Sequence, residues 1–197
     1  MMPTRLPRVA LVALAVLGVA CGDPTLAKAT YASGLASSTV YALTGAPAIV
    51  FTSLSFLSGP KHADATFAFD VAFDFDASNR PMILPVRVVA GAAAGPRKRV
   101  GLQVMTGGFD ALTEVPSTGY DTLNAKTVVP GAVLAVELVD PSSCLSSYNL
   151  TIITSQLIYA KLVVDSIDVP GRRLFVRTVV DPNCGYRQVI PATVPTH

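Results

Sequence analysis

Residues 66–76 read TFAFDVAFDFD, and the alternation is strict. Phe67, Phe69, Val71, Phe73 and Phe75 share one parity, while Ala68, Asp70, Ala72, Asp74 and Asp76 share the other. A period of two puts alternate side chains on opposite faces of a β-strand, so the stretch predicts a strand with its phenylalanines buried and Asp70 and Asp74 in water. The run MILPVRVV at 82–89 is its natural hairpin partner, with ASNR at 77–80 as the loop. Pairing residues whose numbers sum to 157 sets Phe75 against Met82, Phe73 against Leu84, Val71 against Val86 and Asp70 against Arg87. A slip of one residue would set phenylalanines against Arg87 and Pro85, which the pattern disfavours.

Further short apolar runs follow the same logic. TVYALT (39–44), AIVFTSLSFL (48–57), RVGLQVM (99–105), AKTVVP (125–130), AVLAVELV (132–139), LTIITSQLIYAKLVV (150–164), RLFVRTVV (173–180) and YRQVI (186–190) are rich in β-branched and aromatic residues. Residues 106–124 are turn-rich. DVPGRR at 168–173 predicts a type II turn with Pro170 and Gly171 in its central places. No run beyond the first twenty residues has a helical period. Many short strands separated by Pro and Gly turns indicate an all-β chain, here an antiparallel β-sandwich of immunoglobulin-like character.

The first twenty residues follow another pattern. Arg5 and Arg8 precede twelve uninterrupted apolar residues at 9–20, too few to cross a bilayer core, which takes roughly 20. This is the form of a cleaved secretory signal. Its end, LGVAC followed by GDPT, resembles the signal of bacterial lipoproteins, in which a Leu and small residues precede a Cys. Leu17 stands four places before Cys21, and Gly18 holds the position that the family favours for Leu. The resemblance covers about the first 22 residues and implies cleavage before Cys21, a diacylglycerol on its sulfur and an acylated amino terminus. The other reading is an ordinary signal cut near Ala20 that leaves Cys21 free. The expected organisation is a signal at 1–20, a lipidated Cys21 with a small, polar tether at 21–38, and one domain at 39–197.

Removing the signal changes the charge. The chain has 15 Lys+Arg and 13 Asp+Glu; Arg5 and Arg8 leave with the signal, so 13 of each sign remain. A neutral domain gives no basic face for nucleic acid. Cys144 and Cys184 each follow a Val-Asp-Pro phrase at the end of an apolar run, in LVDPSSC and VVDPNC. Export permits disulfides, and this pair is expected to form one, closing a loop of about 40 residues with a stabilisation of about 3–4 kcal/mol.

Candidate chemistry is sparse. Asp74 and Asp76 are the weak candidates for a cation, but residues two apart on one strand face stand roughly 6.5–7 Å from each other, too far to chelate without a loop's help. His62 lies in a loop beside Asp64, and the other histidine downstream of the signal is His197. No nucleophile elbow or zinc-binding helix motif is present, and Glu114 and Glu137 are the only glutamates. Catalysis, a cofactor and a resident metal are therefore not expected. The chain has no Trp, so a carbohydrate site would depend on Tyr120, Tyr148 or Tyr186 in or beside loops. Arg97, Lys98 and Arg99 form a short basic cluster. The function expected is a lipid-anchored, exported protein of the inner or outer bacterial membrane. It would act as a non-enzymatic binding or structural module, with an envelope protein or polysaccharide as partner. The alternatives are a small-ligand or carbohydrate-binding module and a metal-dependent hydrolase.

Overall fold

The computed structural model describes residues 26, 28–94, 98–139 and 156–196. Ten strands form two antiparallel sheets. The larger sheet runs β1 (Gly34–Tyr41), β10 (Arg173–Asp181), β9 (Leu157–Asp168), β8 (Val133–Val139), β6 (Arg99–Met105). The smaller runs β3 (Gly59–Lys61), β2 (Ser53–Ser55), β4 (Val71–Phe75), β5 (Pro81–Pro85), β7 (Lys126–Thr127). One short helix, α1 (Val86–Ala90), leads into a single 3-10 turn, Gly91–Ala94. The chain is an all-β sandwich, as the spacing of short apolar runs predicts.

One core fills the space between the sheets. Val71, Phe73, Phe75 and Ile83 from the smaller sheet meet Leu102, Val136, Leu162 and Leu174 from the larger. A second, smaller core lies on the outer face of the larger sheet, where Phe109, Val115 and Val189 cover Val133, Ala135, Tyr159, Val163 and Val179. The covering layer is a loop ribbon. Val115 N–H donates to Arg187 O at 3.0 Å and Val189 N–H to Thr113 O at 2.8 Å, so 113–115 and 187–189 lie side by side. Burial on both faces explains why LIYAKLVV in β9 is a continuous apolar run broken only by Lys161: its even positions face the main core and its odd positions the outer one.

The opening alternation holds only in part. The strand begins at Val71, not at 66. Phe69, Val71, Phe73 and Phe75 are buried as expected, but Phe67 is half-buried and takes φ 49° in a turn closed by its N–H to Asp64 O at 3.1 Å. Asp70, expected in water, is 8% exposed; its Oδ2 accepts the Phe56 N–H at 2.7 Å. The hairpin register is also one residue away from the expected one. Val71 faces Pro85, Phe73 faces Ile83, and Phe75 faces Pro81. The loop is the cause. Asp76 N–H donates to Arg80 O and Asn79 N–H to Asp76 O, both at 2.9 Å, so three residues rather than four make the turn. Asn79 supplies the left-handed residue (φ 58°) that such a loop needs, a conformation asparagine tolerates. The objection from Arg87 disappears because the expected strand at 82–89 stops at Pro85 and becomes α1, with Val86 N–H turned to Asp70 O at 2.9 Å.

The turn at Pro170 and Gly171 is correctly placed but not type II. Arg172 N–H donates to Val169 O at 3.1 Å, and the positive φ falls on Arg172 (47°), not on Gly171. Gly171 has another use: its N–H donates to Asp168 Oδ1 at 2.9 Å, and a Cβ there would push that carboxylate aside. The related phrase Val129-Pro130-Gly131 holds the positive-φ glycine instead (Gly131, φ 83°), with Ala132 N–H donating to Val129 O at 3.0 Å. Of the expected run 48–57 only 53–55 is strand, and 186–190 makes a single bridge, Gln188 to Glu114. β1 begins at Gly34, within the stretch expected to be tether.

Candidate functional site

Both sheets contribute to a cleft of about 250 Å³ at the end of the sandwich where Arg99 begins β6 and Val139 ends β8. Ser55 and Leu57 line one side, Asp70, Lys98 and Arg99 the other. Asp70 reaches this place because the strand starts one residue later, leaving its carboxylate at the sheet end. Lys98 Nζ stands 3.3 Å from Asp70 Oδ1 and donates to Phe67 O at 3.2 Å. Arg99 pairs with Glu137 at 3.5 Å, and burial pushes the Glu137 carboxyl up from its ordinary range against the pull of Arg99. The cleft thus carries two cations, each tied to a carboxylate. An ammonium offers three donors, and among the described residues Lys98 meets two acceptors.

The expected site residues are dispersed. Asp74 joins the sheets: its Oδ2 accepts the Thr44 hydroxyl at 2.8 Å, and its Oδ1 accepts Arg172 Nη2 at 3.2 Å. Asp76 organises the hairpin loop, accepting Ser78 N–H and Arg80 N–H at 2.9 Å and Arg80 Nε at 2.7 Å; the bonds from Arg80 hold its carboxyl below the usual range. Among the described residues, no group of three or more His, Cys, Asp or Glu side chains is placed to hold a metal ion. His62 lies against Phe51, ring centroids 4.8 Å apart. Tyr120 packs over Gly101 and beside Tyr159, its hydroxyl donates to Pro116 O at 2.7 Å, and burial pushes its pKa well above the ordinary phenol range. Tyr186 is buried. Glu114 pairs with Arg187 on the outer ribbon. Cys184 is half-buried against the main core. Cys21, Cys144, Tyr148, Arg97 and His197 lie outside the described residues.

Comparison with family models, with curated proteins and with solved structures finds no match to this chain.

Two buried groups escaped the sequence reading. Lys161, in the middle of β9, is 1% exposed and donates to Phe109 O and Leu112 O, each at 2.8 Å, with its Nζ 4.5 Å from the Phe109 ring centre. A lysine inside an eight-residue apolar run was the available signal. Asp181, the last residue of β10, is fully buried and accepts from Asn183 N–H at 2.9 Å and Asn183 Nδ2 at 2.6 Å. Asn183 in turn grips the chain before β1: its Oδ1 accepts the N–H groups of Thr30 (2.9 Å) and Tyr31 (3.1 Å), and its Nδ2 donates to Tyr31 O (2.7 Å). No spacing in the sequence announces a contact between residues so far apart.

Proposed function

We propose that this chain is an exported lipoprotein of the bacterial cell envelope, anchored through Cys21, whose sandwich domain serves as a non-enzymatic binding or structural module. The observation that carries the anchor is the apolar run at 9–20 ending in small residues before Cys21. Several acyl chains on one cysteine give stable membrane attachment. Residues 30 and 31 are strapped to Asn183, so a tether from Cys21 to the domain would have about nine residues and reach about 30 Å at most. The non-enzymatic role is supported by what the polar side chains do: Asp70, Asp74, Asp76 and Lys161 tie loops and sheets together. The proposal includes an immunoglobulin-like character for the sandwich, supported by two antiparallel sheets packed over one core and by the chain's repeated crossing between them.

Expression in the presence of globomycin, with a labelled fatty acid, tests the anchor. The full chain is expected to take up label and to accumulate as the unprocessed precursor when the inhibitor is present. Label on a Cys21→Ala chain, or none on the parent, would refute it. The proposed Cys144–Cys184 bond is tested by mass mapping under non-reducing conditions; two free thiols would end that part of the proposal, and the bond's reduction is expected to cost about 3–4 kcal/mol.

A further inference from the structure

β1 forms one edge of the larger sheet. Ala42 N–H donates to Arg172 O at 2.9 Å, extending the ladder, and antiparallel pairs alternate between bonded and unbonded. The even-numbered residues of β1 therefore bond to β10, and the odd-numbered ones turn N–H and C=O outward. Both ends of this outer row are occupied. Ser33 N–H donates to Thr193 O and Ser33 O accepts from Ala192 N–H, both at 2.9 Å; Tyr41 N–H donates to Phe51 O at 2.9 Å. Between them, the outward groups of Leu35, Ser37 and Thr39 meet no partner among the described residues.

A groove of about 210 Å³ opens along the same stretch of β1, which contributes Gly34, Leu35, Ala36 and Ser38 to it. Gly34, Ala36 and Ser38 are the inward positions of β1 here and fill little volume; Leu54, Phe56 and Leu57 form the facing wall. Among the described residues no charged side chain lines it. Edge strands are usually guarded by a lysine, a proline or a bulge. GLASSTVY has neither residue, and its register against β10 is unbroken.

We propose that this edge is a docking site for an extended, uncharged segment of a partner protein. The segment pairs its backbone with Leu35, Ser37 and Thr39 as an added strand and lowers alternate apolar side chains into the groove, a mode in which the backbone supplies affinity and the pockets specificity. Three outward residues accommodate a segment of about five to seven residues. The neutral lining selects apolar side chains, because a charge there would lose its water without gaining a partner. A second copy of β1 fits less well, since self-pairing brings more glycine, alanine and serine to a groove that needs volume. The proposal rests on the domain being a binding module and does not require the lipid.

Fluorescence anisotropy on the full chain in detergent tests it, with a labelled Ser-Val-Thr-Leu-Thr-Val-Ser peptide and the same peptide N-methylated at alternate amides. The plain peptide is expected to bind saturably, and the methylated one at least about tenfold more weakly. Ser37→Pro removes an outward N–H without touching the β10 ladder, and Ala36→Lys puts an ammonium in the groove; each is expected to weaken binding at least about tenfold with an unchanged melting curve. If Ser37→Pro melts early, Ala36→Lys decides. No saturable binding, equal binding of both peptides, or full binding by Ala36→Lys overturns the proposal. So does a dimer in sedimentation that Ser37→Pro dissociates, which would give the edge to a second copy. A negative peptide result leaves the acyl anchor standing, and a negative acyl label leaves the edge site standing.

Discussion

Replacing Lys161 with methionine is expected to lower stability by about 3 kcal/mol and to loosen the outer ribbon before the main core. Methionine keeps most of the volume and removes a buried ammonium, which alone would favour the variant. It also leaves the carbonyls of Phe109 and Leu112 without the donors that reach them at 2.8 Å. A hydrogen bond from a charged donor is worth about 1.5–3 kcal/mol, and two of them outweigh the desolvation relief. The damage falls on residues 109–115 because these carbonyls belong to the covering layer, while Leu162 and Val164 continue to face the main core. Urea unfolding measures the total, and native-state hydrogen exchange places it: protection at 109–115 should fall while that of β4 and β8 persists. The pH dependence supplies a second check. Burial lowers the Lys161 amine below its ordinary range, opposed by Asp110. In the window between that lowered value and 10.5 the unfolded chain binds the extra proton, so wild-type stability rises with pH there and the variant's does not. A variant as stable as the parent, or a loss of protection spread evenly over both cores, would remove Lys161 as the clamp.

How far the fold was legible follows from what each part of it depends on. β6, β8 and β10 were legible nearly to the residue, because each is a short run rich in apolar residues between turn-rich segments. The β4–β5 hairpin was legible as a hairpin but not in its register. The deciding fact was the left-handed Asn79, which shortens the loop by one residue and moves every pair. Parity alone could not find this, since Ile83 and Leu84 are equally apolar and either can face Phe73. Asp70 was misplaced for a related reason. The alternation TFAFD continues through residues that the backbone has already turned out of the strand, and the carboxylate then serves Phe56 and Lys98. The outer ribbon was not legible, because the short 113–115 and 187–189 segments pair across a long stretch of chain with no periodic signal. The groove beside β1 was hidden for the opposite reason. It is made by small residues, Gly34, Ala36 and Ser38, which in the sequence look like tether.

Asp181 is expected to make the domain lose about 2 kcal/mol of stability between pH 4 and pH 7, and Asp181→Asn is expected to abolish that decline. The carboxylate is fully buried, its Oδ2 meets no donor among the described residues, and burial pushes its pKa up to about 6, against the hydrogen bonds from Asn183. Among the described residues no charged group offsets it: it is paired across the strand with Tyr159, and its hydrogen bonds come from Asn183. A folded pKa raised above the ordinary 3.8 means that between 3.8 and about 6 the folded chain holds a proton the unfolded chain has lost. Stability therefore falls as pH rises through that window, by about 1.4 kcal/mol per unit of pKa difference. Glu137, also raised by burial, adds a slope of the same sign. Asp64, Asp76, Asp121 and Asp168 have lowered values and act below 3.8, outside the window. The asparagine variant keeps the Oδ1 acceptor for Asn183 and places an amide nitrogen where Oδ2 had no partner. Any cost of that nitrogen shifts the whole curve and leaves its slope alone, so the difference between the two proteins as a function of pH is the quantity to measure. Parallel curves from pH 4 to 8 would show that Asp181 carries no such strain. A difference that grows in the variant's favour as pH rises would place the cost of ionisation at the joint where Asn183 grips Thr30 and Tyr31, so that the seat of the chain entering β1 is firmer in acid than at neutrality.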